Sequence, residues 1–234
     1  MNSKRTRPIV AIDGPVGAGK STVARALARA LGFSYLNTGA MYRAVAVAAR
    51  EAGIDPGRDD VELRLAPVLD SIRIWFRGER IFLNNRDITD IIAEPAIGDS
   101  ASRLSSLVTV RGRMRDLQRE AGKDGGVVME GRDIGTAVFP DAEFKFYLDA
   151  DINVRADRRW TELAAKGDRT SRDEVLRGLI ERDGRDRGRT LAPLKRADDA
   201  IVIDSTAHAV SQVVAAMKMR IDAATGGKKG LKPT

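Results

Sequence analysis

The chain has 234 residues, 43% hydrophobic and 31% charged, a balance typical of a globular protein with a sizeable core. It has no cysteine and one histidine, which excludes disulfides, thiolate metal sites and cysteine nucleophiles and disfavours histidine-based relays. The net charge of +7 indicates either nucleic-acid binding or arginines that converge on small phosphorylated ligands, and the absence of a basic segment with interleaved aromatics disfavours a nucleic-acid partner.

The first predicted elements are a buried strand over residues 8–13, a glycine-rich turn and a helix from Thr22 to Leu31. The turn matches G-x-x-x-x-G-K-[ST], the phosphate loop of nucleoside-triphosphate enzymes. Its backbone N–H groups and the helix N-terminus bind phosphate oxygens. Lys20 is expected to reach the β- and γ-phosphates, and the Ser21 hydroxyl to contact Mg²⁺. The residues predicted to bind ATP are Gly14, Pro15, Val16, Gly17, Ala18, Gly19, Lys20, Ser21 and Thr22.

A short strand over 34–36 and a polar turn lead into a helix that ends near Ala52. Arg43 lies one turn into this helix, where it either binds an anion or is an ordinary surface arginine. After a helix over 59–69, residues 69–92 alternate polar and apolar side chains. This alternation predicts an antiparallel meander, inserted into the fold with a small core of its own.

Helices are predicted over 95–104 and 108–121, followed by a buried strand over 126–130. The strand ends in Glu130-Gly-Arg132-Asp133. Functional groups collect beyond the carboxyl ends of parallel strands, so these residues indicate substrate binding. The alternative is an internal Arg–Asp ion pair.

The next predicted strand covers 143–148, and Asp149 to Asp151 cap a helix that runs to Lys166. Ser171 and Glu174 form a capping box at the start of another helix. That helix runs into a segment rich in Arg, Asp and Gly, residues 181–190. The segment is either a solvated helix face or a mobile cover that closes over phosphates.

A last buried strand is predicted over 200–204. Ser205 and Thr206 are expected to cap a helix from Ala207 to Ala224, with His208 in its first turn. The basic tail, 226–234, is expected to be disordered.

These elements predict an α/β P-loop sandwich with a five-stranded parallel sheet. We expect a single domain with its core at about 8–70, 105–180 and 193–224, a β insert at about 71–104 and an Arg-rich lid at about 181–192. No apolar segment is long enough for a signal-peptide core or a membrane span. The protein is therefore expected to be cytoplasmic, with no membrane partner, and nothing in the sequence demands more than a monomer.

Five motifs, taken together and in order, make the chain similar to the bacterial cytidylate kinases, P-loop enzymes that phosphorylate nucleoside monophosphates. The similarity extends over residues 8–222, and the β-meander resembles the enlarged monophosphate-binding insert of that family. The motifs are the phosphate loop from Gly14, Asn37-Thr-Gly-Ala-Met-Tyr-Arg43, Glu130-Gly-Arg-Asp-Ile-Gly135, Arg182-Asp-Gly-Arg-Asp-Arg187 and Asp204-Ser-Thr206.

The resemblance implies transfer of the ATP γ-phosphoryl group to CMP or dCMP with Mg²⁺. By position in the matching motifs, the implied substrate-binding residues are Thr38, Arg43, Ser102, Arg111, Arg132, Asp133, Arg182 and Asp186. The implied catalytic residues are Lys20, Arg43, Arg182 and Arg189. Glu130, which is Asp in some relatives, is expected to meet the metal through water, beside Ser21.

Other functions remain as alternatives. The chain could be a P-loop kinase for uridylate, shikimate or dephospho-coenzyme A, although Arg132 and Asp133 favour a pyrimidine monophosphate. A GTP switch is disfavoured because the sequence has neither Asn-Lys-x-Asp nor an Asp followed three residues later by Gly. A nucleic-acid-dependent ATPase is disfavoured because the strand that ends at Glu130 lacks a second, adjacent acid.

Overall fold

A computed structural model describes residues 5–226, within which the backbone forms two sheets. The strands are β1 (Ile9–Asp13), β2 (Ser34–Asn37), β3 (Ile74–Arg77), β4 (Arg80–Leu83), β5 (Arg86–Asp87), β6 (Val127–Gly131), β7 (Phe144–Asp149) and β8 (Ile201–Asp204). The main sheet has the order β2-β6-β1-β7-β8, and each of its neighbouring pairs is parallel. The smaller sheet is the antiparallel meander β3-β4-β5. The five-stranded parallel sheet and the β insert are therefore confirmed.

The helices surround the main sheet and follow the predicted order. They are α1 (Lys20–Leu31), α2 (Thr38–Glu51), α3 (Val61–Ser71), α4 (Pro95–Leu104), α5 (Val108–Gly122), α6 (Ile152–Ala164), α7 (Arg172–Gly188) and α8 (Val210–Thr225). Two predicted caps are confirmed. Asp151 accepts hydrogen bonds from the backbone of Asn153 and Val154, and Ser171 forms a capping box with Glu174. No helix within residues 5–226 is both long and apolar enough to cross a membrane.

The two faces of the main sheet pack into separate hydrophobic clusters. Side chains alternate along β1, so that Ile9 and Ala11 face the cluster formed with α2, α4 and α5. Val10 and Ile12 face the other cluster, which α1 and α8 complete. Because β1 is central and buried on both faces, its carboxyl end and the following turn are held firmly from both sides.

The predicted separate core of the β insert is wrong. Ile81, Leu83 and Ile88 belong to the same buried cluster as Val45 and Met114 of the main body. The meander has one apolar face and too few strands to enclose it, so this face packs on the helices beside the sheet.

Two predictions near the C-terminus are also wrong. The strand over 200–204 is not buried, since β8 lies at the sheet edge and Ile201 and Val202 remain substantially exposed. The last helix begins at Val210 rather than Ala207, and at its start the Gln212 side chain accepts a hydrogen bond from the backbone N–H of Ala209. The side chain of Ser205 is instead used elsewhere, as shown below. The predicted disordered tail, apart from Gly226, lies outside the described residues.

Candidate active site

A large cavity, about 1130 Å³ in volume, lies at the carboxyl ends of the parallel strands. Its walls come from the glycine-rich turn after β1, the start of α2, α4, the segment after β6, and the facing sides of α6 and α7. Ligands of open α/β sheets bind at this end of the strands. The size is sufficient for a ligand of several hundred cubic ångströms.

The glycine-rich turn has backbone dihedral angles that residues with a side chain rarely adopt. Gly17 and Gly19 have φ angles of 79° and 85°, in the left-handed region. Gly14 has φ 149°, and a Cβ atom there would lie 2.0 Å from the carbonyl oxygen of Leu148. The turn can therefore curl tightly against β7 and feed directly into α1, whose N-terminus faces the cavity.

Lys20 lies at the start of α1 with its side chain buried at the cavity wall. Its ammonium group donates to the carbonyl oxygen of Pro15 at 2.5 Å. Burial, together with the nearby charge of Arg132, lowers the pKa of Lys20 well below its usual value. A phosphate in the turn would provide the negative charge that this buried ammonium group lacks.

Two side chains from distant segments brace the glycine-rich turn. Ser205 donates through Oγ to the carbonyl oxygen of Ala18 at 3.0 Å. Arg155, on α6, is 5% exposed and donates to the carbonyl oxygen of Val16 and to the carboxylate of Asp183 on α7. Arg155 was missed in the sequence because nothing near it in the chain marks its partners, one of which lies 139 residues away.

Glu130, at the end of β6, brings a buried carboxylate to the cavity. Its backbone carbonyl accepts a hydrogen bond from the Thr38 hydroxyl at 2.7 Å, which fixes Thr38 at the start of α2. Ser21 lines the same cavity. A hydroxyl and one carboxylate are oxygen ligands of the kind that suits Mg²⁺, which usually completes its coordination with substrate phosphates and water. These residues therefore fit the metal that the sequence predicts.

Asp13 is a second buried carboxylate, and it was not predicted as a site residue. It accepts hydrogen bonds from the backbone N–H groups of Ile134 and Gly135, at 2.9 and 2.8 Å. It thus ties the end of β1 to the turn that follows Asp133. Burial raises the pKa of Asp13 to about 7, although the two N–H donors oppose the shift.

Arginines and carboxylates on the opposite wall are paired with one another. Asp133 forms an ion pair with Arg111 of α5, while Arg132 donates through Nε to Asp186 of α7 at 3.0 Å. Arg189 donates to the other oxygen of Asp186. Arg132 and Asp133 are therefore not paired with each other, and each forms an Arg–Asp ion pair with a residue from another segment.

Burial and neighbouring charges shift the pKa values of several of these groups. Burial alone would raise the pKa of Asp186, but Arg132, Arg189 and Arg182 together hold it below its usual value. Burial and the proximity of Arg132 lower the pKa of Arg182 to about 10. Within residues 5–226, the buried Nε of Arg182 and the buried Oγ of Ser102 have no hydrogen-bond partner. Both residues line the cavity, although these two atoms are themselves buried.

Arg43 lies where α2, α4 and the segment before α4 meet. It donates to the carbonyl oxygen of Ile92, and its guanidinium group packs against Gly98, where a Cβ atom would lie 3.1 Å away. Burial lowers the pKa of Arg43, with Arg159 contributing. Of the two interpretations of Arg43, its position in the cavity wall favours anion binding over a solvated surface role.

The structure brings nearly all of the predicted site residues to this one cavity. Gly14 and Pro15 are the exceptions, since they lie in the turn but outside the lining. The predicted residues that line it are Val16, Gly17, Ala18, Gly19, Lys20, Ser21, Thr22, Thr38, Arg43, Ser102, Arg111, Glu130, Arg132, Asp133, Arg182, Asp186 and Arg189.

A phosphate loop and convergent arginines around one cavity define a P-loop phosphotransferase of small phosphorylated molecules. Comparison with known proteins narrows this class. Residues 10–223 match the family described as Cytidylate kinase. The chain is 47% identical over 211 residues to a cytidylate kinase of Geobacter sulfurreducens, covering 90% of this chain and 91% of that one. It is 46% identical over 205 residues to a cytidylate kinase of Thermotoga neapolitana, covering 88% and 92%.

The chain belongs to the cytidylate kinase family. Among solved structures, a shikimate kinase from Acinetobacter baumannii in complex with shikimate aligns over 97% of both chains with a TM-score of 0.44 and 16% identity, a likeness too distant to bear on function.

Proposed function

We propose that this protein transfers the γ-phosphoryl group of ATP to CMP or dCMP, giving ADP and CDP or dCDP. The observation that carries the proposal is the arrangement of the cavity. A phosphate loop lies on one side, and polar groups suited to a base and its phosphate lie on the other, including the buried Ser102 and Asp133 and the partly buried Arg111. Membership of the cytidylate kinase family supports the same substrates.

The chemistry requires positioning and charge stabilisation rather than a covalent residue. An oxygen of the acceptor phosphate attacks the γ-phosphorus, the bond to the β-phosphate oxygen breaks, and ADP leaves. The attacking oxygen of the acceptor phosphate is already ionised near neutral pH, so no general base is needed. Four cationic side chains would balance the negative charge that spreads over the transferring group. They are Lys20, Arg43, Arg182 on α7 and Arg189 directly after α7.

When bound with the nucleotide, Mg²⁺ would neutralise negative charge on the phosphates. Ser21 would contact it directly and Glu130 through water. Within residues 5–226 there is no group of three or more His, Cys, Asp or Glu side chains that could form a metal site. This is consistent with an ion held largely by ATP oxygens.

Selection of cytosine would depend on buried groups that another base leaves unpaired. Arg132 and Asp133 would read the base edge and its amino group, assisted by Ser102. Thr38 and Arg111 would contact the monophosphate side, and Asp186 the sugar hydroxyl. Arg111, Arg132 and Arg189 form ion pairs with Asp133 and Asp186, so binding of CMP would exchange some of these ion pairs for contacts with the substrate.

The test is ADP release from ATP and Mg²⁺ with CMP, dCMP, UMP, dTMP, AMP, GMP and shikimate as acceptors. We expect strong turnover with CMP and dCMP alone. A preference for UMP would keep the enzyme class and overturn the roles of Arg132 and Asp133. Absence of acceptor-dependent turnover would overturn the proposal itself.

The predictions of a monomer, of a cytoplasmic location and of no nucleic-acid partner stay predictions. Size-exclusion chromatography with light scattering would test the first of them.

A further inference from the structure

Tyr35, on the edge strand β2, makes an unusual contact for a residue that sequence analysis did not select. Its ring is partly buried, and its hydroxyl donates to Oε1 of Glu130. The two residues lie 95 positions apart in the chain and meet because β2 and β6 are parallel neighbours. The contact therefore depends on the fold rather than on a local motif.

The same hydroxyl is close to the phosphate loop. The side chain of Ser21 lies near the Tyr35 oxygen. The guanidinium group of Arg25, one turn further along α1, lies over the Tyr35 ring at 5.7 Å from its centre.

Glu130 depends on this donor. Within the described part of the chain, the Tyr35 hydroxyl is the one hydrogen-bond donor to its carboxylate, although Glu130 is 3% exposed. A buried carboxylate without donors would be costly and poorly oriented. With Oε1 occupied, Oε2 is left free of protein donors.

We infer that Tyr35 is a positioning residue for the metal side of the active site, holding the Glu130 carboxylate in place beside Ser21. The phenol donates to Oε1 of Glu130 and so fixes the orientation of the carboxylate. Oε2 of Glu130 is then available to an ion and its waters, next to the Ser21 hydroxyl. The inference rests on the proposed use of Mg²⁺-ATP.

The experiment compares ATP affinity with and without metal, which separates positioning of metal contacts from general damage to the phosphate loop. Dissociation constants for ATP are measured in excess Mg²⁺ and in EDTA for the wild type, Tyr35→Phe, Glu130→Gln and the double variant. Tyr35→Phe removes one oxygen and keeps the ring. Tyr147→Phe, which alters a partly buried tyrosine of β7 outside the cavity lining, is the matched control.

For Tyr35→Phe we expect affinity in Mg²⁺ to fall about tenfold, as for other residues that orient metal ligands, while affinity in EDTA stays unchanged. In the Glu130→Gln background the same substitution should have much less effect, because its target carboxylate is gone. Tyr147→Phe should match the wild type in both conditions.

Three results would count against the inference, and they are distinguishable. Equal weakening in Mg²⁺ and EDTA would mean that Tyr35 only supports the loop. If Glu130→Gln weakens Mg²⁺-dependent binding but Tyr35→Phe does not, the role of Tyr35 alone is wrong. If Glu130→Gln has no metal-dependent effect, the proposed metal role of Glu130 fails as well, while the acceptor assay still tests the proposed reaction.

Discussion

Asp133 shows how a single charged residue of the cavity can be buried and stabilised by an ion pair within the protein. It is 5% exposed, burial raises its pKa, and Arg111 supplies its counter-charge. A group held in this way can exchange its partner for a substrate amino group at little cost in desolvation, because it is already out of water.

Asp133→Asn should therefore affect one substrate and not the other. We expect KM for CMP to rise by about 10- to 100-fold, the size expected when a buried hydrogen bond to a charged group is lost, with KM for ATP unchanged. Steady-state kinetics with each substrate varied in turn checks this. Asp99→Asn, a more exposed carboxylate of the same cavity, is the matched control. Equal weakening of CMP and ATP would contradict the base-reading role of Asp133.

The raised pKa of Asp13 predicts a pH dependence of stability. An acid whose pKa is about 7 when folded and 3.8 when unfolded binds its proton more tightly in the folded state. Its contribution is fully present below pH 3.8 and is lost as the pH rises to about 7. Relative to Asp13→Asn, the wild type should lose about 2–3 kcal/mol of unfolding free energy between pH 5 and pH 8.

Urea unfolding of the two proteins at several pH values, without nucleotide, measures this difference. The Asn variant cannot ionise at position 13. Subtracting its free energy of unfolding from that of the wild type therefore cancels the pH dependence of all other groups. A constant difference across the range would show that the two backbone donors keep Asp13 ionised in the folded state, contrary to the expected direction.

Sequence reasoning found the residues of this site that belong to contiguous motifs and missed those defined by long-range contacts. Lys20 and Ser21 are recognisable because the phosphate loop must be continuous. Asp13, by contrast, acts on Ile134, which lies 121 residues further along, and Tyr35 acts on Glu130. Only strand order brings these groups together, and a single sequence does not reveal which side chains meet across neighbouring strands.

Among the elements, α6 and α7 form a unit that contacts the phosphate loop through Arg155. Arg155 of α6 contacts the carbonyl oxygens of Ala150 and Val16 as well as Asp183 of α7. Asp183 is 2% exposed, and within residues 5–226 its second oxygen has no partner. Removal of the arginine would therefore leave a buried charge uncompensated.

We expect Arg155→Met to lower the free energy of unfolding by about 3–5 kcal/mol, because Asp183 then remains buried and unpaired. The double variant Arg155→Met/Asp183→Leu should recover most of this loss, since two apolar side chains of similar size replace the ion pair. Urea denaturation at neutral pH measures both. A double variant no more stable than the single one would mean that the contacts of Arg155 with backbone carbonyls matter more than its ion pair.

Element boundaries were predictable where the determinants are local. Ser171 with Glu174 and Asp151 cap helices because their side chains reach backbone groups within one turn. Ser205 has the same capping chemistry, yet its hydroxyl donates to Ala18, 187 residues away, and the last helix begins later. A tertiary contact thus displaced a local preference, and that competition is not visible in the sequence.

At the scale of the whole molecule, the β insert and the main body share one hydrophobic cluster. The alternating pattern correctly indicated the strands of the meander but not the surface on which its apolar face would pack. Ile81 and Leu83 are buried with residues of α2 and α5, so unfolding the insert alone would expose the main core. The two parts should therefore unfold together.

The two tryptophans of the chain allow this cooperativity to be tested. Trp75 lies on the meander, stacked on Phe82 with ring centres 4.1 Å apart, and Trp160 lies on α6 in the main body. Trp160→Phe leaves fluorescence that reports on the insert, and Trp75→Phe leaves fluorescence that reports on the main body. In each variant, urea unfolding followed by tryptophan fluorescence should coincide with unfolding followed by far-ultraviolet circular dichroism.

If the Trp75 signal changed at lower urea than the circular dichroism, the insert would be an independently unfolding unit and the shared cluster too weak to couple it. Coincident curves in both variants would mean that motion of the insert during catalysis must occur as a rigid body on an intact core. Binding of CMP should then raise both midpoints together, because a ligand stabilises every part of a single cooperative unit by the same free energy.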